Sequence, residues 1–153
     1  MNIAARLAVA ASTVLLFAST AALAADGLVT VPSAHTPKET LDRLEAVLKE
    51  KGLTIFLRLD HAAGAAKIGK MLRPTQLLVF GSPQGGTPLM ECGRTTGIDL
   101  PLKALAWQDA DGKNFLGYND PAYIATRHGV PSCPVAANLR KALEGFAQAA
   151  TKP

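Results

Sequence analysis

The sequence predicts an α+β fold, in which helices back a largely antiparallel sheet of about five strands. The first observation is the segment LTIFLRLD at residues 53–60, which alternates apolar and polar side chains. Such alternation is typical of a strand covered on one face, the antiparallel habit, whereas doubly covered parallel strands are continuously apolar. The second is that the chain ends in an amphipathic helix with Val135, Leu139, Leu143 and Phe146 on one stripe.

Residues 1–25 have the composition of a secretory signal peptide. Arg6 precedes the apolar run of residues 7–17, and a small-residue cleavage sequence ends at Ala24. An uncleaved anchor is the alternative, although this run is shorter than the ~20 residues that span a bilayer. We expect cleavage near Ala24 or Ala25, a periplasmic or secreted protein, and no membrane contact after signal removal.

Residues 26–153 have the length of one compact domain. The whole chain has a formal net charge of +4, with its basic residues spread out. Nucleic-acid-binding domains usually show a basic stripe or an aromatic platform; neither is present, so we expect no nucleic-acid partner. An oxidising compartment permits a disulfide between Cys92 and Cys133, and buried reduced thiols are the alternative.

Local signals assign the first elements. Residues 27–33 alternate as a short strand, and Thr36, Pro37 and Glu39 then form the capping box of a helix. The apolar stripe of this helix and its end are marked by Leu41, Leu44, Leu48 and Gly52. In the strand at residues 53–60, one face is expected to hold Leu53, Ile55, Leu57 and Leu59.

The remaining elements follow from turn and cap signals. A short helix after His61 ends at Arg73-Pro74, and residues 75–81 form a central strand. The segment SPQGGTP is expected to be a loop, with Thr87-Pro88 opening the next helix. A hairpin with the turn DADGK follows, and Asp120-Pro121 opens a short helix that Gly129 ends.

Five segments, in order, resemble the domain of unknown function 302 family: GLVTVPS, ETLDRLEAVLKEKGLTIFLRLDHAAGA, LRPTQLLVFGSPQGGTPLM, GIDLPLKALAWQDADGK and YNDP. The resemblance covers residues 27 to about 128. It implies an α+β fold with a curved, largely antiparallel sheet, similar in architecture to the TATA-binding-protein-like class, and it implies no activity. Cys92 and Cys133 lie outside the family pattern. The positions that match it are Asp60, His61, Arg73, Pro74, Gly81, Pro83, Gly86, Thr87, Pro88, Pro101, Gly112, Tyr118, Asp120 and Pro121.

His61 follows Asp60 where the alternating strand stops, and three roles remain open for it. It is a structural histidine at the core edge, a ligand-binding or acid/base residue, or a metal ligand. The three histidines are scattered singly and neither cysteine has a near partner, so we expect no metal and no cofactor. No nucleophile motif such as Gly-x-Ser-x-Gly is present, and whether the protein is an enzyme stays open.

The glycine loop at residues 81–88 is either a tight connection or a weak anion pocket. If His61 belongs to a site, we expect it beside this loop at one end of the sheet. We expect an exported domain that binds a small molecule or a protein partner. An enzyme of hydrolase or isomerase type using His61, and a structural or oligomerising stress protein, are the alternatives. A homodimer is left open. The candidate ligand-binding residues are His61, Asp60, Ser82, Gly86, Thr87, Tyr118 and Asp120.

Overall fold

The computed structural model describes residues 26–153, so the signal-peptide prediction lies outside the described residues. The strands are β1 (Leu28–Ser33), β2 (Thr54–Asp60), β3 (Thr75–Gly81), β4 (Leu102–Gln108) and β5 (Asn114–Asn119). The helices are α1 (Pro37–Glu50), α2 (His61–Ala66), α3 (Pro83–Cys92), α4 (Pro121–Arg127) and α5 (Pro134–Thr151), with a 3₁₀ helix at Arg94–Ile98.

The five strands form one sheet in the order β1-β5-β4-β3-β2, and all neighbouring strands are antiparallel. The predicted α+β fold is confirmed, including the β4–β5 hairpin and the C-terminal helix. Helices α1 and α5 pack on one face of the sheet and on each other. No helix of residues 26–153 is long and apolar enough to cross a bilayer.

The core lies between that face and the helices. α1 contributes Leu41, Leu44 and Leu48 to it, and α5 contributes Leu143 and Ala147. The sheet contributes Leu78, Phe80, Leu102, Ala104, Ala106, Leu116 and Tyr118. The predicted cap of α1 is present, because the Thr36 side chain accepts from the Glu39 N–H while Glu39 accepts from the Thr36 N–H.

The predicted alternation along β2 is wrong after Ile55. The pairing register with β3 shifts between Ile55 and Leu57, so the residues beyond this bulge change faces. Leu57 and Leu59 are therefore 51% and 41% exposed, on the face opposite α1 and α5. Arg58 takes the helical side instead, where it forms an ion pair with Asp42 of α1.

The predicted start of α3 is also wrong. The helix begins at Pro83 rather than at Pro88, and Ser82 is its N-cap, accepting from the Gly85 N–H at 3.3 Å. The dipeptide Thr87-Pro88 therefore lies inside the helix. Ser82-Pro83 and Thr87-Pro88 carry the same cap-then-proline signal. The helix begins at the first of them because β3 ends immediately before it, at Gly81.

Candidate functional site

Asp60 and His61 lie where β2 turns into α2. The Asp60 carboxylate caps α2 by accepting from the Ala63 N–H at 2.9 Å, and it also accepts from the Gln76 side chain at 3.2 Å. His61 is the first residue of α2 and is partly buried. Among the described residues, its ring makes no hydrogen bond. The cap role therefore belongs to Asp60, and no neighbouring acidic group orients the imidazole.

The expected single site with His61 beside the glycine loop is wrong. Asp60 pairs with Gln76 at the start of β3, whereas Thr54 pairs with Gly81 at its end. Gln76 and Gly81 are five positions apart along β3, a length of about 17 Å. Because β2 and β3 are antiparallel, His61 and Ser82 lie at opposite ends of the sheet.

An open cavity of about 410 Å³ lies beside α3, and three candidate residues, Ser82, Gly86 and Thr87, line it. We call it the α3 groove. Its wall is mainly apolar and combines the bulge residue Phe56 with α3, the start of β4 and α5. The full lining is Leu53, Phe56, Gly81, Ser82, Pro83, Gly85, Gly86, Thr87, Met90, Gly97, Leu100, Pro101, Leu102 and Leu139.

The groove has few polar groups of its own and adjoins a more polar surface. The Ser82 hydroxyl is occupied by the cap of α3. A second depression, of about 550 Å³, shares Thr87 and Met90 with the groove and adds Glu91 and Arg94. The apolar cavity thus continues into a surface that carries a hydroxyl, a carboxylate and a guanidinium.

Two walls of the groove are joined covalently. A disulfide links Cys92 at the end of α3 to Cys133 at the N-cap of α5, with 5.9 Å between the two Cα atoms. Leu139, the sixth residue of α5, approaches α3 so closely that a Cβ on Gly85 would lie 3.1 Å from its side chain. The disulfide therefore holds in place the helix pair that borders the cavity.

Tyr118 and Asp120 lie at the end of β5 and do not line the groove. Asp120 caps α4 by accepting from the Ala122 N–H at 2.9 Å and lies 3.4 Å from the Arg140 guanidinium. Burial raises the pKa of the Tyr118 phenol, and the charges of Glu144 and Asp120 act in the same direction. Asp120 thus serves as a helix cap, and Tyr118 belongs to the core.

A polar cluster that the sequence did not reveal surrounds His128. Its Nε2 lies 2.7 Å from the Asp99 carboxylate, and its Nδ1 lies 2.9 Å from the Thr95 hydroxyl. Arg127 donates to the same carboxylate at 2.9 Å. These contacts tie the end of α4 to the 3₁₀ helix. His128 and Asp99 are 29 positions apart, so no local spacing could have indicated the pair.

No group of three or more acidic, histidine or cysteine residues in the described part of the chain could hold a metal ion. The fold and the groove define an open-sheet α+β domain with an apolar cavity beside its third helix. A family model described as "Domain of unknown function DUF302" matches residues 29–146. The chain belongs to the DUF302 family, which confirms the resemblance found in the sequence.

Curated relatives share part of this domain. The chain is 52% identical over 104 residues to the Fluoride-specific ion channel FluC 1 of Brucella suis biovar 1, covering 68% of this chain and 41% of that protein. The same identity and length relate it to FluC 1 of Brucella abortus biovar 1, of which 38% is covered. The chain thus spans about two fifths of the length of these relatives.

A solved structure has the same fold. It is the crystal structure of an uncharacterized conserved DUF302 protein from Bacillus stearothermophilus, with a TM-score of 0.74. The match covers 82% of this chain and 99% of that one, at 23% sequence identity. At this identity the likeness concerns the fold alone.

Proposed function

We propose that the protein binds a small, mainly apolar molecule in the α3 groove. The observation that carries the proposal is the cavity itself. Its volume of about 410 Å³ lies within the range of roughly 300–1,000 Å³ typical of small-molecule sites, and its lining is mainly apolar with few polar groups. Three of the residues chosen from the sequence, Ser82, Gly86 and Thr87, belong to this lining.

The depression that adjoins the groove favours a ligand with one polar group. Arg94 makes no ion pair within the described residues, and it borders the same depression as Thr87. A guanidinium binds carboxylates and phosphates through its fork of donors. The ligand class is therefore an apolar body or chain of modest length that carries a hydrogen-bonding or anionic end.

A pair of glycine substitutions tests the site. Gly86 lies in α3 and lines the groove, and a Cβ there would make an ordinary contact of 3.5 Å with Leu100, so the side chain of Gly86→Leu is expected to extend into the groove. Gly145 lies in α5 with nothing within 4 Å of an added Cβ, which makes Gly145→Leu the matched control. Both changes replace a helical glycine, so both are expected to keep or raise the unfolding temperature.

The readout is the affinity for a fluorescent fatty acid, measured by titration. Gly86→Leu should weaken binding by about tenfold or more, since the added side chain competes for apolar contact, while Gly145→Leu should bind like the parent. Arg94→Gln should weaken the anionic probe severalfold and leave its methyl ester unchanged. Equal affinities of Gly86→Leu and the parent would exclude the α3 groove as the site.

Export of the protein is part of the proposal. The features of residues 1–25 support it, and so does the Cys92–Cys133 disulfide, since disulfides persist mainly in oxidising compartments. We expect the exported protein to begin at Ala25 or Asp26, which N-terminal sequencing would check. An intact Met1 in a membrane fraction would instead indicate an uncleaved anchor.

Ion conduction, which the names of the Brucella relatives state, is not proposed for this chain. The match leaves more than half of each of those proteins without a counterpart here. The acid/base role of His61 is not favoured by a specific contact either, because no carboxylate orients its ring within residues 26–153. Binding in the groove is the function that the geometry supports best.

A further inference from the structure

The turn between α2 and β3 exposes an apolar cluster. Within residues 67–73, which we call the basic turn, Met71 is fully exposed, Ile68 is 75% exposed and Leu72 is 50% exposed. Single exposed hydrophobic residues are normal on a protein surface, but three within five positions form a patch. None of the three packs against the core.

Three cations alternate with these side chains. Lys67, Lys70 and Arg73 are exposed, and none of them forms an ion pair within the described residues. Residues 61–90 contain no aspartate or glutamate. The turn therefore carries a local charge of +3 on an apolar surface.

Two aspartates, Asp60 and Asp109, belong to segments that adjoin the basic turn, and both have other hydrogen-bond partners. Asp60 caps α2 and accepts from Gln76. Asp109 belongs to the β4–β5 turn, and its neighbour Gln108 donates its N–H to the Pro74 carbonyl. The Asp109 carboxylate accepts from the N–H groups of Asp111 and Lys113. The cations of the basic turn are thus available to an external anion.

We propose that the basic turn docks the protein on the surface of an anionic lipid bilayer. The apolar side chains enter the boundary between headgroups and acyl chains, and the cations lie among the anionic headgroups. A nucleic acid would satisfy the cations but not the apolar side chains. This inference concerns another surface than the α3 groove and does not depend on it. From the sequence we expected no membrane contact for the mature protein. The exposure of Ile68, Met71 and Leu72 depends on the fold, so the sequence alone did not indicate this surface.

The test is sedimentation with vesicles of phosphatidylcholine alone or mixed with phosphatidylglycerol. The parent should bind the anionic vesicles and release them as salt rises. Replacing Lys67, Lys70 and Arg73 by Gln should weaken this binding by about fivefold each, or about a hundredfold together. Ile68→Ser combined with Met71→Ser should weaken it by about tenfold or more, and the fold should be unaffected because both side chains are exposed.

Two controls share the chemistry but not the position. Ile98→Ser removes a side chain that is 76% exposed on the 3₁₀ helix, and Lys141→Gln removes an exposed cation of α5. Both should bind vesicles like the parent, and all variants keep residues 1–25 in the same form, so any contribution of that segment cancels. Failure of the parent to bind anionic vesicles, or equal binding by the basic-turn variants, overturns the proposal. The proposal is also overturned if the parent self-associates without binding vesicles and Met71→Ser abolishes the self-association. That result would assign the basic turn to a contact between copies of the chain.

Discussion

A residue before a proline caps a helix only where its side chain reaches the first turn of backbone. Thr36 accepts from the Glu39 N–H at 3.3 Å, and Ser82 accepts from the Gly85 N–H at the same distance. Thr87 also precedes a proline, yet it lies inside α3 and is exposed. Ser82-Pro83 and Thr87-Pro88 carry the same sequence signal for a helix start. Only the position of Ser82 directly after the end of β3 shows which of the two begins the helix.

Alanine at each of the three positions separates the two situations. Thr36→Ala and Ser82→Ala should each lower the free energy of unfolding by about 0.5–2 kcal/mol, because a first-turn N–H loses its acceptor. Thr87→Ala should stay within about 0.5 kcal/mol of the parent. Urea denaturation midpoints measure the differences. A loss at Thr87 as large as that at Ser82 would mean that the helix begins at Pro88.

The buried phenol of Tyr118 links stability to alkaline pH. Because burial and the charges of Glu144 and Asp120 raise its pKa in the folded state, the folded protein favours the neutral phenol. This contribution is present below the unfolded pKa of about 10 and is lost as the pH rises through the folded pKa. Tyr118→Phe should therefore flatten the loss of stability above about pH 10. Urea unfolding at several alkaline pH values measures the slope, with Tyr123→Phe at an exposed site as the control. An unchanged slope would show that Tyr118 does not titrate differently in the two states.

At the scale of the element, the two faces of the sheet have different energetic weight. The helical face of β3 holds Leu78, which is fully buried, whereas Leu57 on β2 points to the other face and is half exposed. Part of that other face is covered by its own side chains, since Trp107 stacks on Phe115 at 5.5 Å and lies over Gly117. The sheet is thus stabilised mainly from the side of α1 and α5.

A pair of leucine truncations measures this asymmetry. Leu78→Ala should lower the free energy of unfolding by about 2–5 kcal/mol, the cost of a cavity in a packed core. Leu57→Ala should cost about 1 kcal/mol or less, because half of its side chain is already in water. Denaturant unfolding of both variants under the same conditions checks the difference. Similar losses for the two variants would mean that Leu57 lies on the core face and that β2 has no bulge after Ile55.

Elements with local signals could be predicted from the sequence, and those fixed by pairing could not. The capping box at Thr36 and the turn at Gly112, where φ is +80°, are specified by neighbouring residues. The bulge at Phe56 is set by the pairing register with β3. No local sequence signal within β2 indicates that register. The prediction for Leu57 failed for that reason.

The candidate site divides in the same way. Ser82, Gly86 and Thr87 were found because they cluster in one short segment. The rest of the groove comes from Leu53 and Leu139, which tertiary packing brings to α3 from distant parts of the chain. His61 was expected at the same place because both segments flank β3, but they flank its opposite ends.

At the scale of the whole molecule, the chain between α3 and α5 is closed by one covalent link. The Cys92–Cys133 disulfide spans 41 positions, and that segment contains β4, β5 and α4. A cross-link of this span removes conformational freedom from the unfolded chain, worth about 4 kcal/mol by the chain-entropy relation. The same bond joins two walls of the α3 groove, so stability and the shape of the cavity are coupled.

Removing the disulfide should therefore affect both properties. Replacing Cys92 and Cys133 by Ser is expected to lower the free energy of unfolding by about 4 kcal/mol, a large share of the roughly 5–15 kcal/mol typical of a domain. Affinity for the fluorescent fatty acid should fall as well, because α3 and α5 are then held only by packing. Urea unfolding and probe titration, both at low temperature where the variant stays folded, measure the two effects. The parent treated with a reductant is the control, since it loses the same link without a change of sequence. A variant as stable as the parent would mean that the bond contributes no net constraint. A destabilised variant that keeps full probe affinity would mean that packing alone maintains the groove.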